Sequence, residues 1–349
     1  MAEPQVSVVI DTYNYGQFIE EAIDSVLAQD FPADRMEILV VDDGSTDDTA
    51  ERVKKYGARI QYFWKANGGQ ASAFNFGFAR ARGEIISLLD ADDYWFPDKL
   101  RSVVEEFEKN PEAGVVYHPM REYHAQTREF KEAQFTPISG FVPSSIKQVI
   151  LYDGLTTTTL SFRRRVLQQL LPIPEELRIQ ADAYIGNLAI FLAPVIAIER
   201  PLGIYRLHGK NLYFKAATDA ETKRLLRRIE TRREIVKGMT SWFESHKHDI
   251  RQPEIQAALL RWMILSERDE FELSPPGRIK FFRYLVKSYR YTGPLMTWKI
   301  RAVNYFNAIG ALIVGYEKFH ILDESREKAS RWLRRDNPLS SYFRRKSLR

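Results

Sequence analysis

The segment ISLLDADDYWFPDKL, Ile86 to Leu100, places three carboxylates directly after a mostly apolar run. The run, Ile85 to Leu89, has the composition of a strand buried within a sheet. Asp90, Asp92 and Asp93 follow where that strand ends. Mutual repulsion makes such crowding costly unless something positive lies among the carboxylates. The segment therefore predicts a buried strand with a cation-binding turn at its end.

Upstream of this segment, short β-branched runs alternate with amphipathic stretches. The predicted strands are Val6–Ile10, Ile38–Val41, one near Ile60–Phe63, and Ile85–Leu89, and the predicted helices are Phe18–Gln29, one after Ser45, and Ala71–Ala81. This βαβαβαβ order indicates a parallel sheet covered by helices. Ligands of such sheets bind beyond the carboxyl ends of the strands. Three polar clusters fall there: DTYN after the first strand, DDGSTDDT after the second, and DADD after the fourth.

The cluster after the second strand has both a structural and a functional interpretation. Ser45 can cap the following helix, with Asp48 three residues on as the acidic member of a capping box. That leaves Asp42 and Asp43 without a capping task. They can hydrogen-bond a ribose hydroxyl or a base N–H, or they can form a solvated acidic turn. The residues alone leave both interpretations open.

The DADD cluster suits a hard divalent cation. Carboxylates spaced i, i+2 can aim at one ion, and Mg²⁺ or Mn²⁺ prefers carboxylate and phosphate oxygens. Such an ion can neutralise a diphosphate leaving group. The turn after the first strand is DTYNYGQF, which lacks the G-x-G-x-x-G fingerprint, and no G-x-x-x-x-G-K-[ST] motif is present. These absences argue against a dinucleotide dehydrogenase and a P-loop enzyme.

The composition is that of an ordinary soluble globular protein. The 349 residues are 44% hydrophobic and 28% charged, with a net charge of +5 and a pI of about 9.1. This charge falls short of a nucleic-acid-binding composition, so we expect no nucleic-acid partner. The chain has no cysteine, which excludes disulfides and thiolate sites. It shows no secretory signal and no spanning segment, so we expect a cytoplasmic location.

Five segments together carry a family resemblance: VSVVIDTYN, ILVVDDGSTDDT, NGGQASAFNFGFARARGEIISLLDADDYWFPDKL, TTTTLSFRRRVL and GIYRLHGKN. The sequence from Val6 to Asn211 resembles the inverting nucleotide-sugar glycosyltransferases of family two, which have a GT-A fold. The resemblance implies an α/β protein with a mostly parallel sheet. It also implies metal-dependent sugar transfer from a nucleotide-diphosphate donor to a hydroxyl of a saccharide or lipid-linked acceptor, in cell-envelope polysaccharide, glycolipid or glycan synthesis. Another metal-dependent nucleotide-processing enzyme, such as a nucleotidyltransferase, and a non-catalytic sugar-nucleotide-binding member remain alternatives.

The resemblance assigns roles residue by residue. It implies nucleotide-sugar binding by Thr12, Tyr13, Asp42, Asp43, Asn67, Gly69, Gln70, Asp90, Ala91 and Asp92. It implies Mn²⁺ or Mg²⁺ binding by Asp92 and Asp90, with His208 near the metal or diphosphate. It implies that Asp182 is the general base, where the alternative is a helix-start acid favoured by the macrodipole.

Two positions depart from the family pattern. Asp11 stands where the family usually has Pro, and Phe74 stands where many members have Arg. The first adds a charge beside the expected nucleotide pocket, and the second removes a phosphate contact. We expect both to narrow the choice of donor.

We predict a GT-A glycosyltransferase domain over residues 1–215, with a nucleotide-binding half over about 1–118 and an acceptor half over about 119–215. Residues 216–349 are predicted to form a basic helical region, in which Arg278, Arg283 and Arg290 alternate with Phe and Tyr, and more basic residues follow Arg331. Basic-aromatic helices can lie at a membrane interface or form a solvated cap. The sequence leaves open peripheral contact with the inner face of the cytoplasmic membrane.

Overall fold

Strands and helices alternate from the start of the chain, as the apolar periodicity predicts. The computed structural model describes residues 3–132, 135–152, 156–208, 211 and 218–329. The first elements are β1 (Val6–Thr12), α1 (Gly16–Leu27), β2 (Met36–Asp42), α2 (Thr49–Lys54), β3 (Gln61–Trp64), α3 (Gln70–Phe78) and β4 (Ile85–Asp90). The predicted strands and helices of this part are thus confirmed, with ends shifted by a few residues.

The central part of the chain adds short strands and helices that the periodicity did not resolve. These elements are β5 (Tyr94–Trp95), α4 (Lys99–Lys109), β6 (Val115–Tyr117), β7 (Arg121–His124), β8 (Glu129–Glu132), α5 (Ile146–Leu151), β9 (Leu160–Arg163), α6 (Arg164–Leu167), α7 (Ala181–Ala189), β10 (Val195–Ala197) and β11 (Gly203–Leu207). Several of these strands have only two to four residues, too few for a periodic pattern to show.

Seven strands form the main sheet, in the order β10-β6-β9-β4-β1-β2-β3. Every pair is parallel except those of β9, which runs antiparallel to both β4 and β6. Strands β5, β11, β7 and β8 form a second, smaller sheet in that order. The fold class is therefore α/β with a mostly parallel sheet, as expected from the sequence.

The register of the parallel strands brings the polar clusters to one edge of the main sheet. Asp11 of β1 pairs with Asp90 of β4, and Thr12 pairs with Asp42 of β2. Alternate residues of β1 point to opposite faces. Val9 belongs to the core beneath α3, whereas Val8 packs in the core beneath α1. Both faces of the sheet are thus buried, and ligands have access only at its edge.

The rest of the described chain is helical, as predicted. Its helices are α8 (Thr218–Ser245), α9 (Pro253–Leu273), α10 (Arg278–Thr292) and α11 (Trp298–Ala329). α11 is interrupted by a kink at Gly315, whose φ of 77° and ψ of 176° are not helical. Among the residues described, no helix is both long enough and apolar enough to cross a bilayer. The basic residues from Arg331 onward lie outside the described residues.

Candidate functional site

The turn after β4 gathers the carboxylates that the sequence singled out. Asp90, Asp92 and Asp93 each offer an oxygen, and these oxygens lie within 4.8 Å of one another. The backbone N–H of Ala91, between them, donates to the Asp11 carbonyl at 3.2 Å. This bond ties the turn to the end of β1. Four acidic residues from two adjacent strands therefore meet at the sheet edge.

Asp93 is held by the protein on both of its oxygens. Its Oδ2 accepts a bond of 2.6 Å from the Thr158 hydroxyl, and its Oδ1 accepts one of 2.9 Å from the Arg206 backbone N–H. The side chain is buried. Asp93 therefore anchors the acidic turn to the segment before β9 and to β11, which leaves Asp90 and Asp92 to face a ligand.

Asp92 contacts the histidine that the resemblance assigned to the same site. The Nε2 of His208 lies 3.0 Å from Asp92 Oδ2, and the Asn211 amide donates to that oxygen at 3.1 Å. Asn211 also accepts the His208 backbone N–H at 2.8 Å. The ring of Phe18 packs 4.4 Å from the imidazole, centroid to centroid. The segment after β11 thus brings His208 onto the acidic turn.

Asp11 adds a carboxylate to the cluster. Its Oδ1 is shut off from solvent and has no hydrogen-bond partner within the described part of the chain. Burial, followed by the negative charge of Asp182, raises the pKa of Asp11 to about 7. Burial and the charges of Asp11 and Asp92 likewise hold the pKa of Asp90 well above its ordinary value. The site is therefore short of positive charge.

Asp182 lies in the first turn of α7 and faces this cluster. Its Oδ2 accepts the Thr157 backbone N–H at 2.9 Å and the Thr157 hydroxyl at 3.2 Å, and its Oδ1 accepts the Ala183 N–H at 2.8 Å. Burial raises its pKa although these hydrogen bonds act in the opposite direction. A carboxylate fixed in this way can accept a proton beside the acidic turn.

Gln70 connects the start of α3 to the segment that holds Asp182. Its amide donates to the Thr157 hydroxyl at 3.1 Å, and its carbonyl accepts the Ala181 N–H at 3.0 Å. Asn67 donates to the Asp43 carbonyl at 2.8 Å. Both side chains thus have structural partners, and their predicted contacts with a sugar-phosphate stay predictions.

The predicted nucleotide-contacting residues lie at the ends of β1 and β2. The Tyr13 side chain is 46% exposed, so its ring is open to a stacking ligand, while Thr12 is buried. Asp42 is fully buried and accepts the Tyr62 hydroxyl at 2.6 Å and the Ser45 N–H at 2.7 Å. Asp42 therefore stabilises the turn after β2, and its contact with a ligand stays a prediction.

The predicted capping box of Ser45 and Asp48 is wrong. The Ser45 hydroxyl accepts the Asn14 N–H at 2.8 Å, and α2 begins only at Thr49. Asp47 instead bonds the N–H groups of Gly16 and Thr49, at 3.0 and 3.1 Å. Asp47 thus joins the starts of α1 and α2. This is a tertiary contact, which a local sequence motif does not reveal.

Asp43 holds the glycine-containing segment before α3. Its carboxylate accepts the N–H groups of Gly68 and Gly69, at 2.9 and 2.7 Å, and the ammonium of Lys65 at 2.7 Å. Gly69 adopts φ 87° and ψ 175°, a conformation that essentially only glycine tolerates. This arrangement ties the start of α3 to the end of β2, and base recognition by Asp43 stays a prediction.

The residues present fit a divalent cation. Asp90 and Asp92 supply hard oxygen ligands, and Asp11 brings an oxygen that has no partner among the residues described. Burial is the main cause of the raised pKa of Asp11 and Asp90, and repulsion from neighbouring carboxylates adds to it. A cation would offset that repulsion, and His208, whose Nε2 lies 3.0 Å from Asp92 Oδ2, is a candidate for a further ligand.

Sequence reasoning missed two residues of this site. Thr157 orients Asp182, and Asn211 orients both His208 and Asp92. Both lie inside segments quoted for the resemblance, TTTT and GIYRLHGKN, so their motif membership was the available signal. Phe74 is fully buried and stacks on Phe78, so it belongs to the core rather than to the site.

The sequence is similar to known glycosyltransferases. A sequence profile described as Glycosyl transferase family 2 matches residues 7–171. An uncharacterized glycosyltransferase of Nostoc sp. is 36% identical over 225 residues, which cover 61% of this chain and 68% of that protein. An uncharacterized protein of Mycobacterium tuberculosis is 28% identical over 227 residues, or 61% of this chain and 62% of its own length.

Solved structures have the same fold. TarS of S. aureus, crystallised in complex with UDP, aligns with a TM-score of 0.60 at 20% identity, over 89% of this chain and 92% of that one. Mannosyltransferase PcManGT of Pyrobaculum calidifontis, solved in complex with GDP-Man and Mn²⁺, aligns with a TM-score of 0.52 at 19% identity, over 92% and 84%.

Proposed function

The chain belongs to glycosyltransferase family 2 and has a GT-A fold, and from this premise we propose that it moves a sugar from a nucleoside-diphosphate donor to an acceptor hydroxyl with inversion. The observation that supports this most is the arrangement of Asp182. That carboxylate faces the acidic turn of Asp90 and Asp92 from a different segment of the chain. The reaction needs both a diphosphate-binding end and a base, and we assign these roles to the acidic turn and to Asp182.

The donor is a nucleotide sugar in this proposal. TarS was solved with UDP-GlcNAc and PcManGT with GDP-Man, so structures of this fold accommodate such donors. We assign the base and ribose to Thr12, Tyr13, Asp42 and Asp43 at the ends of β1 and β2. Asn67, Gly69 and Gln70 would then meet the sugar-phosphate portion, together with Asp90, Ala91 and Asp92.

Asp90 and Asp92, together with His208, would hold Mn²⁺ or Mg²⁺. A divalent cation at this place supplies Lewis-acid stabilisation of the negative charge that develops on the departing diphosphate. The chain's own contribution is to fix the ligands. Asp93 anchors the turn through Thr158 and Arg206, and Asn211 orients His208.

Asp182 acts as the general base. It accepts the proton of the acceptor hydroxyl while that oxygen forms a bond to the anomeric carbon. The bond from this carbon to the diphosphate oxygen breaks, and the nucleoside diphosphate leaves with the bonding electrons. One displacement inverts the anomeric configuration. The raised pKa of the buried Asp182 strengthens it as a base, and Thr157 fixes its orientation.

The acceptor in this proposal is a saccharide or a lipid-linked sugar of cell-envelope polysaccharide, glycolipid or glycan synthesis. A lipid-linked acceptor would place the enzyme at the cytoplasmic face of the membrane, and we include that location in the proposal.

A thermal-shift screen followed by product analysis tests this function. With Mn²⁺ present, UDP, GDP, dTDP and CMP sugars are added in turn, and the donor that binds the folded chain raises its melting temperature. We expect that donor to be a UDP, GDP or dTDP sugar, and its expected product is the free nucleoside diphosphate. Pyrophosphate release would indicate nucleotidyl transfer instead, and the absence of a shift with every nucleotide would contradict the proposal.

A further inference from the structure

Helices α10 and α11 form an antiparallel hairpin with a well-packed inner face. The rings of Tyr289 and Tyr305 lie 6.4 Å apart between the two helices. Ala308 and Ala311 of α11 are completely buried in the cluster that contains Phe281 of α10. Small residues on α11 therefore let it pack closely on the aromatic side chains of α10, which fixes the opposite face outward.

That opposite face of α11 is apolar and exposed. We define the outer stripe of α11 as five side chains with their exposed fractions: Trp298 74%, Val303 58%, Phe306 76%, Ile309 54% and Ile313 71%. Positions 303, 306, 309 and 313 follow helical spacing and share one side of the helix. On a soluble protein, exposed apolar side chains are normally scattered singly. A contiguous row of them therefore marks an interaction surface.

The hairpin also carries a concentrated positive charge. Residues 278–316 hold seven Lys or Arg and no Asp or Glu, whereas the whole chain has a net charge of only +5. Lys280 and Lys287 pair with glutamates of α9. Among the residues described, the other five are exposed and form no ion pair: Arg278, Arg283, Arg290, Lys299 and Arg301. Residues 278–316, which include the outer stripe, thus carry seven positive charges and no negative one.

We propose that the α10–α11 hairpin docks on an anionic phospholipid surface, with α11 lying in the interface plane. The outer stripe enters the boundary between headgroups and acyl chains, while the arginines and lysines contact the lipid phosphates. A stripe that stays apolar from Trp298 to Ile313 fits a planar lipid surface. This docking deepens the proposed function, since it places the enzyme where a lipid-linked acceptor would lie.

Vesicle flotation of the full chain tests the docking without donor or acceptor. Wild type is mixed with vesicles of pure phosphatidylcholine, or with phosphatidylcholine vesicles in which phosphatidylglycerol makes up about a third of the lipid. Both are tested at low and at high salt. We expect binding only to the anionic vesicles, with a loss at high salt. The variant Phe306→Ser/Ile313→Ser and the variant Arg283→Ser/Arg290→Ser should each lower the bound fraction at least about tenfold.

The variant Leu226→Ser is the matched control, because Leu226 is a 54% exposed apolar residue on α8, away from the hairpin. It should bind vesicles like wild type. Equal binding of the stripe variant and wild type, or equal binding to neutral and anionic vesicles, would overturn the proposal. The proposal would also be overturned if wild type self-associated without lipid, as measured by light scattering, and the stripe substitutions abolished this self-association. A second copy of the chain would then cover the stripe.

Release of nucleoside diphosphate from a soluble donor separates this inference from the proposed function. The stripe variant should retain that release at the wild-type rate while losing vesicle binding. A chain that binds anionic vesicles but turns over no donor would contradict the catalytic proposal and leave the docking intact.

Discussion

Asp11 and Asp90 are register partners at the carboxyl ends of two adjacent parallel strands. Parallel neighbours point to the same side of a sheet, so this pairing puts two carboxylates next to each other with Asp92 close by. Burial, together with the charges of neighbouring carboxylates, raises the pKa of both groups: Asp182 and Asp92 act on Asp11, and Asp11 and Asp92 act on Asp90. The end of β1 and the turn after β4 thus store an unfavourable interaction that a cation would relieve.

We expect Mn²⁺ to stabilise the chain more at pH 8 than at pH 5.5. Folding raises the pKa of Asp11 from 3.8 to about 7, so the folded chain binds more protons than the unfolded chain within that range. The contribution of such carboxyls to the free energy of unfolding is therefore present at low pH and is lost as the pH rises through the folded pKa. A cation needs the deprotonated ligands, so it competes with protons at low pH.

The measurement is the melting temperature with and without Mn²⁺ at both pH values. In Asp92→Asn the Mn²⁺-dependent rise should largely disappear, because a charged ligand is lost. In Asp11→Asn the difference between the two pH values should shrink, because the group that titrates near neutrality is gone. If Mn²⁺ raised the melting temperature of wild type equally at pH 5.5 and at pH 8, binding of Mn²⁺ by these carboxylates would be contradicted.

Asp182→Asn should lower the rate of sugar transfer by about 10²- to 10⁴-fold, because a positioned general base contributes that much. Donor binding should change little, since the substitution keeps the shape of the side chain and leaves Asp90 and Asp92 in place. The rate is measured as release of nucleoside diphosphate with acceptor present, and donor binding as a thermal shift. Glu176→Gln is the control, since Glu176 is an exposed acid in the segment before α7. Wild-type turnover in Asp182→Asn would exclude it as the base.

The sequence predicts the first part of the fold well for a physical reason. Strands β1, β2 and β4 are six or seven residues long and buried on both faces, so their apolar runs are distinct. Strands β5 and β6 have two and three residues. Their position depends on tertiary pairing rather than on local pattern, and the antiparallel insertion of β9 between β4 and β6 depends on it as well.

The candidate site shows the same division. Asp90 and Asp92 are recognisable because crowded carboxylates at a strand end need an explanation. The roles of Thr157 and Asn211 are not recognisable, because their hydrogen bonds to Asp182 and His208 form only in the folded chain, although both residues lie in segments quoted for the resemblance. The failed capping box has a similar cause, since Ser45 has a distant partner, Asn14, that competes with the local one.

Gly69→Ala should destabilise the folded chain by more than the ~1–2 kcal/mol of an ordinary left-handed position. Gly69 has φ 87° and ψ 175°, and a Cβ there would lie 2.5 Å from the Arg178 Cα atom. The backbone must therefore shift, which would also disturb the hydrogen bond that the Gly69 N–H donates to Asp43. The free energy of unfolding is measured by urea denaturation. Gly57→Ala is the matched control, because Gly57 also has positive φ but no atom within 4 Å of a built Cβ. Equal losses in the two variants would contradict this reasoning.

Asp269→Asn should cost about 3–5 kcal/mol of the free energy of unfolding, because it leaves buried cations without their counter-charge. Asp269 is completely buried, and its Oδ2 accepts bonds of 2.5 Å from Arg228 and 2.6 Å from Arg232. These bonds join α8 to α9, so we expect the loss to appear in the helical region first. Hydrogen exchange of α8 and α9 amides, together with urea denaturation, measures it.

Glu270→Gln, which removes a partner of the exposed Arg233 on the same helix pair, should cost less than about 1 kcal/mol. A loss in Asp269→Asn no larger than that of Glu270→Gln would show that the buried charges contribute no more than a surface pair.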